Sequence, residues 1–270
     1  MNLTSQQNNL FDTFGYLVFP GLFARDIDLI TDAFEENWVN NGTNHDGSRR
    51  SSLVPFIDQH EYLSALLDDS RLDGIAGSLL GTDYNYAASD GNFYVGDTAW
   101  HSDRYRWMPV LTFKVAFYLD PVTRDTGCLR VIPGSHKRGD VFADGVQPMA
   151  EDPREGRTEN LWGVPPDAVP AISLNSEPGD LVIFDHRLKH ASFGGGNRRR
   201  MFTLNYEAHV PQDQTQWLIE EMAKEASSWG TSKPYGDVML QTAPPSRMKH
   251  LEQHLAYADQ MMGLISDSSS

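Results

Sequence analysis

The order of apolar and polar positions divides the chain into a helical beginning, a β-rich middle and a helical end. Before residue 84, apolar residues recur mostly at the spacing of amphipathic helices, and one short apolar run is closed by Pro20-Gly21. The pattern here predicts helices at 6–14, 24–38, 62–67 and 72–80, a strand at 16–19 and a polar loop at 40–52.

From about residue 84, short apolar runs separated by turn residues replace the helical spacing. They predict strands at 93–95, 110–119, 128–132, 171–174, 180–184 and 200–206, followed by helices at 215–227 and 245–262. In the longest strand, Phe113, Val115 and Phe117 fall on one face and Lys114 and Tyr118 on the other. We therefore expect the first face to pack into a core and the second to face a cavity.

This arrangement predicts a mainly β protein with flanking helices, folded as a double-stranded β-helix, the cupin-like jelly roll. We expect a single domain over 1–270, with a helical buttress at about 1–83, a jelly-roll core at about 84–208 and C-terminal helices at about 213–262. The segment 139–170 is rich in proline and charge, so it is either a lid over the site or a surface insert.

Composition narrows the range of partners. The formal net charge of −15 disfavours nucleic acid and anionic membranes and favours a neutral, zwitterionic or cationic small molecule. Cys128 is the only cysteine, which excludes an intramolecular disulfide and a thiolate metal cluster. No apolar run reaches the roughly 20 residues of a membrane helix, and we expect a soluble, cytoplasmic protein. The sequence predicts no oligomeric state.

Candidate metal ligands occur in the run His101-Ser102-Asp103. Residues two apart in a strand point to the same side, so His101 and Asp103 can present a nitrogen and an oxygen to one point. A second histidine would complete a face of two histidines and one carboxylate, which suits non-heme Fe(II) with open coordination positions. His190 is the first candidate, and His186 is its rival.

A family resemblance rests on motifs that occur in consistent order between Ser89 and Tyr206. These motifs are Trp100-His101-Ser102-Asp103, Tyr118-Leu119-Asp120, the run from Gly127-Cys128-Leu129-Arg130 to Pro133-Gly134-Ser135-His136, Pro178-Gly179-Asp180 and His190-Ala191-Ser192. Together they resemble the phytanoyl-CoA dioxygenase family of Fe(II)/2-oxoglutarate-dependent oxygenases. The segment Ser89-Asp90-Gly91-Asn92 is similar to its ectoine hydroxylase branch.

The resemblance implies that His101, Asp103 and His190 bind Fe(II), which 2-oxoglutarate then chelates. The far carboxylate of 2-oxoglutarate needs a cation, and Arg199 is the choice among three adjacent arginines because it lies seven residues before Tyr206. Three further candidate contacts of 2-oxoglutarate are Lys114, Asn92 and Ser192.

For the substrate, the resemblance implies a contact with Trp107, and Arg104 is a second candidate. The intervening Arg104-Tyr105-Arg106 departs from the ectoine hydroxylase branch, which argues against ectoine as the substrate.

The function implied is an Fe(II)- and 2-oxoglutarate-dependent dioxygenase that hydroxylates a small polar metabolite or natural-product intermediate. O2 is consumed, and succinate and CO2 are released. Asp103 argues against halogenation, because halogenating relatives have glycine or alanine at that position. The alternative is a cupin-like metal-binding protein or a zinc hydrolase on the same jelly roll.

Overall fold

The computed structural model describes residues 1–103, 108–137, 139, 158 and 163–268. Its strands are β1 Tyr16–Phe19, β2 Ser51–Leu53, β3 Asn85–Tyr94, β4 Thr98–His101, β5 Thr112–Tyr118, β6 Leu129–Val131, β7 Ile172–Leu174, β8 Leu181–Asp185, β9 His190–Ser192 and β10 Arg199–Glu207. Its α-helices are α1 Ser5–Phe14, α2 Ile27–Asn40, α3 Glu61–Ser64, α4 Ser70–Leu80, α5 Thr215–Trp229, α6 Asp237–Thr242, α7 Pro245–Met248, α8 Glu252–Ala256 and α9 Ala258–Ser268.

The strands form two antiparallel sheets. The larger sheet has the order β1-β8-β5-β10-β3-β2, and the smaller has the order β4-β9-β6-β7. Side chains from both sheets, among them Tyr118 and Phe184 from the larger and Leu129 and Val131 from the smaller, form one buried cluster between them. The predicted jelly roll with flanking helices is confirmed.

The larger sheet is covered on both faces, and strand β5 shows how the sequence specifies this. Phe113, Val115 and Phe117 are buried in the core that the sheet shares with the helices. Ala116 and Tyr118 alternate with them and belong to the cluster between the sheets. The predicted face assignment is therefore confirmed, and Lys114 lies on the inner face.

Aromatic pairs join β5 to its neighbour β10. Phe117 stacks on Phe202 with ring centroids 4.6 Å apart, and Phe113 stacks on Tyr206 at 5.3 Å. Each buried aromatic side chain contributes about 1.5–3 kcal/mol through the apolar surface removed from water. Because a one-residue slip would turn every side chain to the other face, these pairs also fix the inner face that carries the site.

Two strands were not predicted at all, and β4 was expected only as the strand that carries His101. Strand β2 lies inside the expected loop at 40–52 and pairs with β3, Ser52 lying opposite Asn92. Its polar sequence lacks the apolar alternation by which a strand is recognised. It pairs with β3 at the edge of the larger sheet. Strand β9 has three residues, too few for any periodicity, and is held between β4 and β6.

The helical prediction was wrong at the C-terminal end, where 245–262 forms three short helices in place of one. The interruption at His250 has a physical cause. The carbonyl of His250 accepts a hydrogen bond from the amide of Tyr86 at 3.0 Å, and its ring stacks on Tyr84 at 3.7 Å. Because this carbonyl is bonded to the start of β3, it does not continue a helical hydrogen-bond pattern, and the chain turns at this point.

Several boundaries also moved, α2 beginning at Ile27 after a series of turns rather than at residue 24. Within the described part of the chain, no helix is long and apolar enough to cross a membrane.

Candidate active site

Two histidines and one aspartate converge where β4 ends beside the start of β9. His101 ends β4 and lies directly opposite His190, the first residue of β9. Ligand atoms of His101, Asp103 and His190 all lie within 4.8 Å of one another. The donor set of two imidazoles and one carboxylate is the one that suits non-heme Fe(II), so these residues fit the metal that the sequence implies.

The local geometry differs from the expected strand. Strand β4 ends at His101, and Asp103 lies after it in a bend, so the two residues do not share one face of a strand. The pairing of β4 with β9 shifts register between Thr98 and His101, and His101 is the last paired residue of β4. The bend brings the carboxylate to the histidines: each of its oxygens lies 3.9 Å from the Nε2 atom of one of them.

Backbone carbonyls orient both imidazoles. His101 Nδ1 lies 2.8 Å from the carbonyl of Ala99, and His190 Nδ1 lies 2.9 Å from the carbonyl of Leu188. When Nδ1–H donates to a carbonyl, Nε2 keeps the lone pair that a metal ligand requires. Burial, together with the charge of His101, lowers the pKa of His190 to about 3, so its ring is neutral at physiological pH.

A lysine holds the carboxylate. Lys114 Nζ lies 3.0 Å from Asp103 Oδ2, and their side chains are 16% and 22% exposed. Burial alone would raise the pKa of Asp103, but the Lys114 ammonium and the imidazoles bring it below its usual value. Burial works against the charge of Lys114 as well, and the carboxylates of Asp103 and Asp90 nevertheless raise its pKa. Both groups therefore stay charged, and Asp103 is an anion ready to bind a cation.

The three adjacent arginines have different environments. Arg198 is exposed and pairs with Glu35 at 3.0 Å, and Arg200 pairs with Asp120 and Glu35. Arg199 is 6% exposed, and its Nε and Nη1 atoms have no hydrogen-bond partner among the described residues. A buried guanidinium costs several kcal/mol unless it is paired, so this position calls for an anion.

One inner cavity is lined by the metal group, which consists of His101, Asp103 and His190. Arg199, Lys114 and Ser192 line the same cavity. Alternation along β10 accounts for the position of Arg199, since Met201 and Thr203 line the cavity as well. Ser192 donates its hydroxyl to the carbonyl of Gly127 at 2.9 Å. The cavity therefore combines a metal-binding face with a buried cation at one wall, which fits a dicarboxylate that chelates the metal at one end.

Asn92 lies outside this group. Its Oδ1 accepts hydrogen bonds from Arg50 and Ser52 at 2.6–2.9 Å, and its Nδ2 donates to Asp90. Asn92 is not among the residues that line the inner cavity. Its predicted contact with 2-oxoglutarate stays a prediction. Trp107, Arg104 and most of the predicted 139–170 loop lie outside the described residues.

His186, the rival third ligand, has a different position. Its Nδ1 lies 2.7 Å from the hydroxyl of Thr112, and its Nε2 lies 2.9 Å from Asn205 Oδ1. It does not belong to the group with His101 and Asp103. Both ring nitrogens are engaged with neutral polar side chains, so the geometry favours His190.

The sequence did not reveal a second, outer cavity of about 190 Å³. Asp103 and Lys114 line both cavities and separate one from the other. The polar trio Thr112, His186 and Asn205 lines only the outer one. Strand alternation could have found Thr112 and Asn205, which share faces with Lys114 and Arg199. The C-terminal helix α5 contributes further residues, and no sequence signal indicated them.

Comparison with known proteins places the chain in a family. A family model for phytanoyl-CoA dioxygenase (PhyH) matches residues 11–201. The chain belongs to the phytanoyl-CoA dioxygenase family. A curated relative, a probable phytanoyl-CoA dioxygenase of Caenorhabditis elegans, is 34% identical over 99 residues. That match covers 35% of this chain and 29% of the relative, so the chain spans less than a third of its length.

Solved structures share the fold of this family member. HygX from Streptomyces hygroscopicus, with nickel and 2-oxoglutarate bound, matches with a TM-score of 0.62 and 16% identity over 78% of this chain and 89% of that one. The α-ketoglutarate-dependent carbocyclase SnoK from nogalamycin biosynthesis matches with a TM-score of 0.58 and 22% identity, over 77% of this chain and 85% of that one. EctD from S. alaskensis, with 2-oxoglutarate and 5-hydroxyectoine, matches with a TM-score of 0.55 and 22% identity, over 76% of both chains. At these identities the likeness concerns the fold.

The family supports the expected enzyme class, a non-heme Fe(II)- and 2-oxoglutarate-dependent dioxygenase. The donor set of His101, Asp103 and His190 fits Fe(II), and HygX and EctD are solved with 2-oxoglutarate bound. The family assignment favours this class over a cupin-like metal-binding protein or a zinc hydrolase.

Proposed function

We propose that this dioxygenase hydroxylates a small polar metabolite or natural-product intermediate held in the outer cavity. One oxygen atom of O2 enters the substrate, and the other enters succinate as 2-oxoglutarate loses CO2. The observation that carries the proposal is the shared wall of the two cavities. Asp103 lines both, so a molecule in the outer cavity lies beside the metal group.

In this proposal His101, Asp103 and His190 hold Fe(II), which supplies the activation of O2 coupled to the oxidation of 2-oxoglutarate. Arg199 binds the far carboxylate of 2-oxoglutarate through the guanidinium nitrogens that have no partner among the described residues. The inner cavity thus orients the co-substrate, and the outer cavity is left for the substrate.

Lys114 is a positioning residue. Its ammonium lies 3.0 Å from one oxygen of Asp103, which fixes the carboxylate and leaves its second oxygen toward His101. An ammonium held at this distance also offsets the repulsion between the carboxylate of Asp103 and an incoming dicarboxylate. Lys114 therefore supports both ligand orientation and co-substrate entry.

The outer cavity suits a small polar molecule. The side chains of Thr112, His186 and Asn205 can donate and accept hydrogen bonds, so they can orient a hydroxyl or amide group near the metal. Its volume of about 190 Å³ is below the roughly 300–1,000 Å³ of sites for drug-sized ligands. An acyl-CoA, which is large and polyanionic, is accordingly a poor fit to these walls.

A screen of small polar metabolites tests the proposal. Iron-loaded enzyme is incubated with 2-oxoglutarate and each compound under ¹⁸O2, and succinate and the organic product are analysed by mass spectrometry. We expect a compound that accelerates succinate formation and acquires one labelled oxygen atom. An accelerating compound that leaves with no added oxygen would refute hydroxylation, and acceleration by acyl-CoA thioesters alone would refute the substrate class.

A further inference from the structure

The smaller sheet has a second face, which points away from the inner cavity. Trp100 immediately precedes His101 on β4, so its indole projects to the side opposite the imidazole. There it is buried against the segment 163–171. The cluster that they form has the buried members Trp100, Ile132, Val169, Ala191 and Phe193, with Val164 and Ala171 packed against it. Strand β4 thus lies between the inner cavity and this packed segment.

Backbone pairing fixes β4 only in part. It is an edge strand of four residues, with β9 as its neighbour. Two residue pairs set its register, Thr98 with Ser192 and His101 with His190, and the register shifts between them. A short edge strand with so few paired residues opens easily unless side chains hold it.

The two imidazoles of the metal group differ in how firmly their own packing fixes them. The side chain of His190 is 7% exposed and lies edge-on to the ring of Phe184, with centroids 4.9 Å apart. The side chain of His101 is 33% exposed. Its Nδ1 contacts the carbonyl of Ala99, which belongs to the same strand and moves with it. The position of His101 therefore depends on what holds β4.

Trp100 makes the specific contact that holds this strand. Its Nε1–H donates to the carbonyl of Pro166 at 2.8 Å, and its ring lies 6.2 Å from the ring of Phe193. A buried indole N–H is costly without an acceptor, so this bond sets the orientation of the ring as well as its depth. Packing and hydrogen bond together tie β4 to the segment 163–171.

Arg130 in turn ties this segment to the middle of the sheet. It lies buried on β6, which has a neighbouring strand on each side. Its Nη1 donates to the carbonyl of Asp167 at 2.7 Å, and its Nη2 donates to the carbonyl of Arg124 at 2.9 Å. The guanidinium lies over the ring of Phe193, 5.0 Å from the centroid. The acceptor of the Trp100 hydrogen bond is therefore itself held in place.

We propose that Trp100 is a positioning residue for the iron ligand His101. Through the carbonyl of Pro166 and the cluster on the outer face, it ties β4 to the segment 163–171 and so sets the position of His101 relative to His190. The inference rests on the proposed function, since it requires His101 to bind Fe(II). Metal affinity then depends on side chains that lie outside the metal group.

Metal binding tests this role without turnover. Co(II), which suits the same donor set, is titrated into metal-free protein; calorimetry gives its Kd, and the absorption spectrum of bound Co(II) reports its coordination. Trp100→Phe keeps a buried aromatic ring and removes the N–H donor. We expect it to raise the Kd about tenfold and to change the spectrum. An unchanged Kd would overturn the inference, whatever happens to the melting temperature.

Trp38→Phe is the matched control. Trp38 is buried on α2 against Phe34 and Phe93, and its Nε1 has no hydrogen-bond partner among the described residues. The substitution should lower the melting temperature and leave both the Kd and the spectrum of Co(II) as in the wild type. An equal rise of the Kd in Trp38→Phe and Trp100→Phe would mean that general destabilisation, not positioning, weakens the metal.

Val169→Ala tests the contact from the side of the segment, since it reduces the cluster without altering β4. We expect a rise of about threefold in the Kd, smaller than that of Trp100→Phe because the hydrogen bond to Pro166 remains. Val210→Ala is its control, because Val210 is equally buried but belongs to the separate cluster under α5. Equal Kd values in these two valine variants would show that the segment does not hold β4.

His101→Ala separates this inference from the proposed function. If this variant binds Co(II) as tightly as the wild type, His101 is not a ligand, and the metal assignment of the proposed function fails together with the inference. If it loses Co(II) while Trp100→Phe binds Co(II) as the wild type does, the inference alone fails.

Discussion

Arg198, Arg199 and Arg200 show how three identical neighbours acquire different roles from their position on a strand. Arg198 and Arg200 point to the side where Glu35 lies, and both form ion pairs. Arg199 points to the inner cavity, where two of its guanidinium nitrogens have no partner among the described residues. The count back from Tyr206 selected Arg199 from the sequence, but its lack of a partner required the structure.

Arg199→Ala should therefore raise the KM for 2-oxoglutarate by about a hundredfold, since a buried carboxylate that loses its cation costs roughly 2–5 kcal/mol. Arg198→Ala, at an exposed pair, should change this KM by less than about threefold. Arg200→Ala should lower thermal stability more than co-substrate affinity, because it breaks the bonds to Asp120. Steady-state kinetics and thermal melts check all three, and equal KM values in the three variants would show that the strand register is wrong.

A comparison of alanine variants also decides which histidine is the third metal ligand. Substitution of His101, Asp103 or His190 by alanine should each abolish stoichiometric iron binding, because each removes one of three ligands. His186→Ala should keep full iron content, since His186 bonds Thr112 and Asn205 outside the metal group. Iron analysis of the purified variants is the measurement. Full iron in His190→Ala together with loss in His186→Ala would exchange their roles.

At the scale of elements, the turn before β6 limits where Arg199 can lie. Gly127 has φ +92°, and a Cβ atom there would lie 1.6 Å from Arg199 Nη1. Only glycine leaves room for the guanidinium and adopts this backbone conformation without strain. The packing of the site thus explains the glycine of the Gly127-Cys128 motif, one of the motifs on which the family resemblance rests.

Gly127→Ala should displace the guanidinium and raise the KM for 2-oxoglutarate at least about tenfold, in addition to a loss of stability. Gly196→Ala is the matched control, because a Cβ there would meet nothing within 4 Å. Its KM and melting temperature should both stay near those of the wild type. Unchanged kinetics in Gly127→Ala would indicate that Arg199 does not depend on this turn.

Alternation along β5 and β10 predicted which side chains of these two strands face the cavity. The same period that buried Phe113 and Phe202 turned Lys114 and Arg199 inward, so a sequence pattern sufficed for both core and cavity. It could not predict β9, whose three residues carry no period, nor the bend that delivers Asp103. The amide of Asn92 is bonded to Arg50 and Asp90, and such long-range partners leave no trace in a local pattern.

At the scale of the whole molecule, two histidines remote from the metal group should make stability depend on pH. Burial lowers the pKa of His136 and that of His250. The unfolded chain, with a histidine pKa of about 6.5, then binds more protons than the folded one as pH falls below that value. Stability contributed by these neutral rings is therefore fully present above about pH 6.5 and is lost as pH falls toward their folded pKa values.

His250→Gln should reduce this dependence. The free energy of unfolding, measured by denaturant titration at pH 7.0, 6.0 and 5.5, should decline less steeply in the variant, by at most about 1.4 kcal/mol per pH unit. His60→Gln is a suitable control, because His60 lies in a partly exposed pair with Glu36. The same slope in His250→Gln and the wild type would contradict the role of this burial.

The molecule as a whole builds its two cavities from two segments of the chain. The segment that matches the family supplies the metal group and Arg199, while α5 beyond it supplies Glu225 and Trp229 at the outer cavity. Sequence reasoning reached the first through motifs that the chemistry requires. The sequence did not predict that Glu225 and Trp229 line a cavity. The apolar spacing of a helix indicates which of its residues face the core, but not which of the others border a cavity.

The central claim is that His101, Asp103 and His190 support iron-dependent oxidation of 2-oxoglutarate. The most direct measurement is succinate released per 2-oxoglutarate consumed, for wild type and Asp103→Ala, each loaded with Fe(II) or with Zn(II). We predict one succinate per 2-oxoglutarate in the Fe(II)-loaded wild type and none above background in the other three samples. Equal succinate from the Zn(II)-loaded wild type, or from Asp103→Ala with Fe(II), would contradict the account.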